Sequence, residues 1–219
     1  SGRRFLLDAR ALIGRGVEGK VYRCGDGAVK ILDAPPGPGD GARMAALSSL
    51  SVKVPGFAWP TEPVVDQATG DVVGFAMPLA EGETLEAMLD ARSTARLAVE
   101  VKATIGFRIA GAVAVAHANR GPKLALGDVL KAGNGVIDSD RVVLVDAASV
   151  SLFGYRDESG DARDAVNSLV TPGYSPKEVL DNPGALPSEA TDRYALAVVL
   201  FELLFGRSPH DVRPCPAAV

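Results

Sequence analysis

Gly14, Gly16 and Gly19 stand at the spacing G-x-G-x-x-G near the start of the chain, and the residues directly after them constrain the fold most. A dinucleotide-binding unit needs a strand, the glycines and then a helix whose N-terminus meets the pyrophosphate. Here the glycines run into Lys20-Val21-Tyr22-Arg23, a strand-like stretch. A second one, Ala28-Val29-Lys30-Ile31-Leu32, comes after Cys24-Gly25-Asp26-Gly27, which reads as a hairpin turn. Glycines inside an antiparallel hairpin exclude the dinucleotide reading. They leave a plain turn between strands, or a flap whose backbone N–H groups approach phosphates with no Cβ in the way. In the first case Lys30 is a solvated strand lysine; in the second it neutralises phosphate charge.

The same style of sequence continues to Pro78. Pro35 to Gly39 is a loop, Gly41 to Leu50 allows one short helix, and Val64-Val65-Asp66 and Val72 to Met77 form a second hairpin around Thr69-Gly70-Asp71. Beyond Pro78 the pattern turns helical. Thr84 to Leu89 is a short helix, and Arg96 to Asn119 a long one with Ile105, Ile109, Val113 and Ala116 on one face. Gly135-Val136-Ile137 and Val142 to Val145 are short strands. Ser149 to Pro187 reads as a long, acidic, solvent-facing loop. Thr191-Asp192 is expected to cap a helix to Phe205, apolar on nearly every side and so expected to be enclosed. The expectation is an α+β protein with an antiparallel β-rich N-terminal lobe (residues 1–80) and a helical C-terminal lobe (81–219). They join near Met77 to Gly82, with a ligand cleft between them.

Composition removes several function classes. With 24 Gly and 15 Pro in 219 residues and 47% hydrophobic content, the chain is not a low-complexity or disordered sequence. A net charge of −4 offers no global basic field for nucleic acid or an anionic membrane. Cys24 and Cys215 cannot build a disulfide framework, and no Cys/His spacing suits zinc. The most apolar run, Tyr194 to Phe205, contains Glu202 and falls well short of the roughly twenty residues of a membrane span. No signal-peptide pattern is visible, so a cytoplasmic setting is expected.

The second part of the chain supplies oxygen-bearing side chains. Asp128 follows Leu126-Gly127, Asn134 comes soon after, and Asp146 ends the Val142–Val145 strand. A single loop Asp is ordinarily a turn residue. An Asp, an Asn and a second Asp flanking one small hairpin offer a base and two hard oxygen ligands for Mg²⁺. With the glycine hairpin and Lys30 they point to phosphoryl transfer.

These motifs, in this order, together with Thr171-Pro172-Gly173-Tyr174-Ser175-Pro176-Lys177-Glu178 and Asp192-Arg193-Tyr194, make the chain resemble the protein kinase fold from about Leu12 to His210. Phe57-Ala58-Trp59-Pro60-Thr61, Gly74 to Pro78 and Leu196 to His210 resemble one bacterial branch in particular. Its kinase-like domains are encoded beside von Willebrand-type proteins and metal-dependent protein phosphatases in tellurite-resistance-type gene clusters. The resemblance implies ATP- and Mg²⁺-dependent transfer of a γ-phosphoryl group to Ser or Thr of a protein substrate. Those two neighbouring kinds of protein are implied as partners. Gly14, Gly16 and Gly19 would cover the phosphates and Lys30 contact them. Val21 and Ala28 would border the nucleotide, with Met77 as gatekeeper and Pro78 and Ala80 at the adenine edge. Asp128 would orient or deprotonate the attacking hydroxyl, Asn134 and Asp146 hold the metal, and Glu178 and Asp192 serve as scaffold.

The chain departs from the family at four places. Kinases pair the strand lysine with a glutamate on the first helix, whereas between Gly19 and Thr61 the acidic residues are Asp26, Asp33 and Asp40, and Ala42-Arg43 stands where that glutamate is expected. Leu126-Gly127 replaces the His-Arg before the catalytic Asp. The interval from Asp128 to Asn134 is one residue longer than usual, and Lys131 is displaced with it. Asp146-Ala147-Ala148 replaces Asp-Phe-Gly. These changes favour an alternative, a pseudokinase acting as a nucleotide-responsive scaffold for partner proteins. His117, His210 and Trp59 are expected to be structural, and Cys24 to have no redox role.

Overall fold

The computed structural model describes residues 4–16, 18–34, 40–50, 54–90, 92–139, 141–157, 159–167, 169–182 and 184–211; the Pro35–Gly39 loop and Cys215 lie outside them. Strands β1 (Leu12–Arg15), β2 (Gly19–Cys24) and β3 (Gly27–Leu32) form a meander, followed by helix α1 (Asp40–Leu50). Strands β4 (Glu62–Val65) and β5 (Val72–Pro78) complete an antiparallel five-stranded sheet in the order β1-β2-β3-β5-β4. Its centre is crowded. A Cβ on Gly19 would lie 2.1 Å from the Ile31 carbonyl oxygen, and one on Gly74 2.0 Å from that of Lys30, so both positions admit only glycine beside β3. The β2–β3 turn uses Gly25, at φ +67°, as its left-handed residue, rather than the Asp26-Gly27 pair the sequence suggested. Pro63 is tolerated because β4 is an edge strand, where a missing donor leaves no ladder partner unpaired.

The remaining elements are β6 (Glu83–Thr84), α2 (Leu85–Asp90), α3 (Val99–His117), β7 (Lys123–Ala125), β8 (Gly135–Asp138), β9 (Arg141–Leu144), β10 (Ser151–Arg156), β11 (Ala162–Ala165), α4 (Lys177–Leu180) and α5 (Glu189–Phe205). Two further antiparallel sheets result, β6-β8-β9 and β11-β10-β7. The chain is therefore α+β with antiparallel sheets and a few helices. One core cluster runs from Leu47 and Leu50 of α1 through Phe57 and Trp59 to Leu126, Leu144 and Leu152. Trp59 is a packing anchor: its indole N–H donates to the Val54 carbonyl at 2.6 Å and its ring lies 4.9 Å from that of Phe57. Beside it, Ala58 N–H donates to Leu144 O at 2.9 Å and Leu144 N–H to Gly56 O at 2.8 Å, tying the segment after α1 to β9. A second cluster joins α2, α3 and α5 through Leu85, Met88, Ile105, Ile109, Val199 and Leu203. The face of α3 read from its spacing (Ile105, Ile109, Val113, Ala116) is the buried one.

Four expectations change. Helix α3 starts at Val99 instead of Arg96, because Ser93–Arg96 forms a separate 3-10 turn. The Ser149–Pro187 stretch is not simply a solvent-facing loop, since β10 runs through it and Ser149, Val150, Ser151 and Leu152 are buried. The two serines disguised an apolar strand; Ser151 Oγ accepts the Asn167 N–H at 2.9 Å, which satisfies a hydroxyl inside. Helix α5 is capped by Ser188, whose reciprocal partner is Thr191, and Asp192 is released for another task. Nor is α5 enclosed on all sides: Leu204 and Phe205 are 43% and 62% exposed. Among the described residues, no helix is long and apolar enough to cross a membrane.

Candidate functional site

A cleft of about 500 Å³ opens between the β1–β3 meander, the segment after β5 and the ends of the β8–β9 hairpin. This is within the usual range of ligand pockets, roughly 300–1,000 Å³. Gly14, Gly16, Val21, Ala28, Lys30, Met77, Pro78, Ala80, Asn134 and Asp146 line it. Of the residues singled out from the sequence, Gly19 and Asp128 are not in its wall. Gly19 is buried in β2 and serves the close approach to β3, whereas Gly16 has open space around a Cβ and its N–H closes the hairpin on Gly19 O at 2.9 Å. Met77 pairs in register with Ala28, and together with Val21 they give the cleft an apolar wall. Val136 and Val145 also line the cleft. Sequence reading placed both in strands without assigning them to the site, although their place beside Asn134 and Asp146 was the available signal.

Lys30, 6% exposed, stands in the wall of the cleft. Its ammonium donates to Asp146 Oδ1 at 2.5 Å and to Glu18 Oε2 at 3.0 Å, and Ser149 Oγ donates to the same Glu18 oxygen at 3.3 Å. Burial is the largest single influence on Lys30 and pulls its pKa down. The two carboxylates outweigh it together, Asp146 first, so the pKa ends raised and the ammonium stays charged. Glu18, inside the glycine motif and one residue before the stretch from Gly19 to Thr61, is the lysine partner that sequence reasoning misses. At the position of the expected helix glutamate, Arg43 of α1 donates to the Ala148 carbonyl and so ties the helix to the Asp146-Ala147-Ala148 turn. Asp146 caps that turn at φ +63°, a left-handed conformation that Asp tolerates better than most residues.

Asp128 lies in a 3-10 turn (Gly127–Val129), and its carboxylate accepts from Lys131 Nζ on one oxygen and Thr171 Oγ on the other. Lys131, extended at the start of the next 3-10 turn, reaches back to it from three positions on. A second 3-10 turn, Ala132–Asn134, follows, and Asn134 Nδ2 donates back to the Asp128 carbonyl at 3.1 Å. The loop is held from below by Asp192. This fully buried carboxylate accepts the N–H groups of Leu126 and Gly127 at 2.8 Å each and the His117 Nε2–H at 2.8 Å. A neutral imidazole donates from one of its two ring nitrogens, and Nε2, facing the carboxylate, is the one assigned that role. Gly127, at φ +53°, makes the turn into Asp128, in a conformation that a side chain would strain.

The other residues fall into place as structure. His210 Nε2 bonds the Gly173 carbonyl at 2.8 Å. Glu178, expected as scaffold, is instead exposed on α4 and has no side-chain hydrogen bond or ion pair among the described residues. Buried Glu202 accepts Tyr174 OH at 2.7 Å. Burial, its first cause, raises the Glu202 carboxyl pKa against the bond from Tyr174. A carboxyl whose folded pKa is raised is destabilising once pH passes above its unfolded value, because folding then buries a charge. Glu202→Gln keeps an acceptor for Tyr174 and removes that charge. It is therefore expected to raise the thermal midpoint at pH 8 and to leave it unchanged or lower near pH 4, as read by circular dichroism melts.

Among the described residues, no three His, Cys, Asp or Glu side chains converge as a ready-made metal site. Mg²⁺ does not require one, because it keeps several waters and takes one or two protein oxygens plus phosphate. The donor set fits it: Asn134 uses its amide nitrogen on the Asp128 carbonyl and keeps its oxygen, and Asp146 supplies a carboxylate on the same cleft. Neither a scan against models of known protein families nor a search of curated proteins finds a match to this chain.

Proposed function

We propose that the chain is a two-lobed, protein-kinase-like phosphotransferase, with residues 1–80 and 81–219 as its lobes. In this reading it moves the γ-phosphoryl group of ATP to Ser or Thr hydroxyls of a protein. The observation that carries the reading is the single cleft on which the glycine turn, Lys30, Asn134 and Asp146 meet an apolar wall, with Asp128 beside it holding a hydroxyl. Val21, Ala28, Met77, Val136 and Val145 would sandwich the adenine, while Pro78 and Ala80 would meet its edge through the backbone. Gly14 and Gly16 admit phosphates close to the main chain, and Lys30 would donate to a phosphate oxygen. Mg²⁺, held by Asn134 and Asp146, would supply neutralisation of the phosphate charge. Asp128 would take the place of hydrogen-bond acceptor to the attacking hydroxyl, as it now does to Thr171, and Lys131 would steady the charge there. Catalysis of this kind is positioning plus electrostatics.

The test is direct. The purified chain is incubated with ATP and Mg²⁺, with dephosphorylated casein as acceptor, and added phosphate is read by intact mass. Lys30→Met and Asp146→Ala are both expected to abolish addition. Lys30→Met leaves two neighbouring carboxylates to repel phosphate, and Asp146→Ala removes a metal ligand. Phosphate addition unaffected by either change would sink the proposal. The second reading, a nucleotide-responsive scaffold, is favoured by Asp146-Ala147-Ala148 in place of Asp-Phe-Gly. It requires nucleotide binding without phosphate addition.

A further inference from the structure

Lys30 is buried and takes its counter-charge from Glu18, which lies on the tip of the glycine turn and not on a helix. Glu18 is 35% exposed, and its backbone is tied to the sheet because its carbonyl accepts the Asp33 N–H at 3.0 Å. Its Oε2 receives both Lys30 and Ser149, and Ser149 stands in the turn that starts from Asp146. One carboxylate therefore connects the flap, the strand lysine and the turn of Asp146. Helix α1 contributes Arg43 to a carbonyl of that turn, a contact that does not touch Lys30.

We propose that Glu18 is the positioning residue for Lys30, aiming its ammonium toward the phosphates of a bound nucleotide. The inference rests on the nucleotide-cleft reading above. Lys30 bridges two carboxylates, Asp146 on the cleft wall and Glu18 on the glycine turn. An ammonium has three N–H donors, and Glu18 and Asp146 engage two of them, so the third is free for a phosphate oxygen while Glu18 keeps the group aimed.

The test uses the full chain and its Glu18→Gln and Glu18→Asp variants, with Lys30→Met as reference. Steady-state transfer to casein at varied ATP is read alongside acylation of Lys30 by acetic anhydride in the nucleotide-free chain, followed by peptide mass. Losing the aim of Lys30 should lower kcat of Glu18→Gln by about tenfold or more while ATP KM changes less than about threefold, since misorientation of a reacting group acts mainly on the chemical step. Glu18→Asp, which keeps a carboxylate, should recover most of kcat. Lys30 acylation should rise about threefold in Glu18→Gln, because one of the two carboxylates that engage the amine is gone. Acylation unchanged in Glu18→Gln overturns the inference whatever the activity, and so does raised acylation with wild-type kcat. Wild-type transfer shared by Glu18→Gln overturns the inference and leaves the kinase reading standing. A wild-type chain that neither binds ATP nor transfers phosphate overturns both.

Discussion

Asp192→Ala is expected to cost about 4 kcal/mol of unfolding free energy, because stranding buried donors costs roughly 1–3 kcal/mol apiece. Three donors lose their acceptor at once: the N–H groups of Leu126 and Gly127 and the His117 imidazole. Water cannot replace the carboxylate readily at a position with no solvent exposure. Asp192→Asn is expected to fall between wild type and Ala, since its amide offers one acceptor but turns an NH₂ group toward other donors. His117→Ala should cost less than Asp192→Ala, because the two backbone bonds survive, and the double variant should cost less than the sum. Urea midpoints at constant m-value would measure all four. A loss below about 1 kcal/mol for Asp192→Ala would mean that the 3-10 turn around Asp128 holds itself and that the buried carboxylate is dispensable.

Asp192 also marks where sequence reading stops. Its neighbours in the chain suggested a helix cap, and only likeness to a known fold suggested a scaffold; the partners lie 65 and 66 positions away, beyond any local pattern. The β2–β3 hairpin, the α3 face and the two strands after Asn134 were legible because each follows from spacing within a dozen residues or from a turn. Glu18 was written in the glycine motif itself and still went unseen. Its role exists only once the β1–β2 hairpin folds over β3 and Asp146 arrives from 116 positions away. The buried course of β10 was hidden for a related reason. Ser149 and Ser151 read as solvent-loving, yet Glu18 and Asn167 satisfy their hydroxyls inside. Polar residues with distant partners are what the sequence conceals.

Asp128→Asn should separate chemistry from binding. Asp128 does not line the cleft, so affinity for an ATP analogue should stay within about twofold of wild type, as expected when no binding contact is lost. The rate of phosphate addition should fall by roughly 10²–10⁴, the range associated with a positioned general base. The asparagine keeps one acceptor for Thr171 or Lys131 but has no charge to draw the proton of an acceptor hydroxyl. Thr171→Val provides the contrast. It removes the hydroxyl that now occupies Asp128 while leaving the Lys131 pair, so its loss of rate should be far smaller than that of Asp128→Asn. Analogue affinity by fluorescence titration and phosphate addition by intact mass supply both readouts. If Asp128→Asn transfers phosphate as fast as wild type, Asp128 is not the base. If it loses nucleotide binding as well, the Lys131–Asp128–Thr171 cluster supports the cleft's architecture rather than the reaction, and the scaffold reading gains over catalysis.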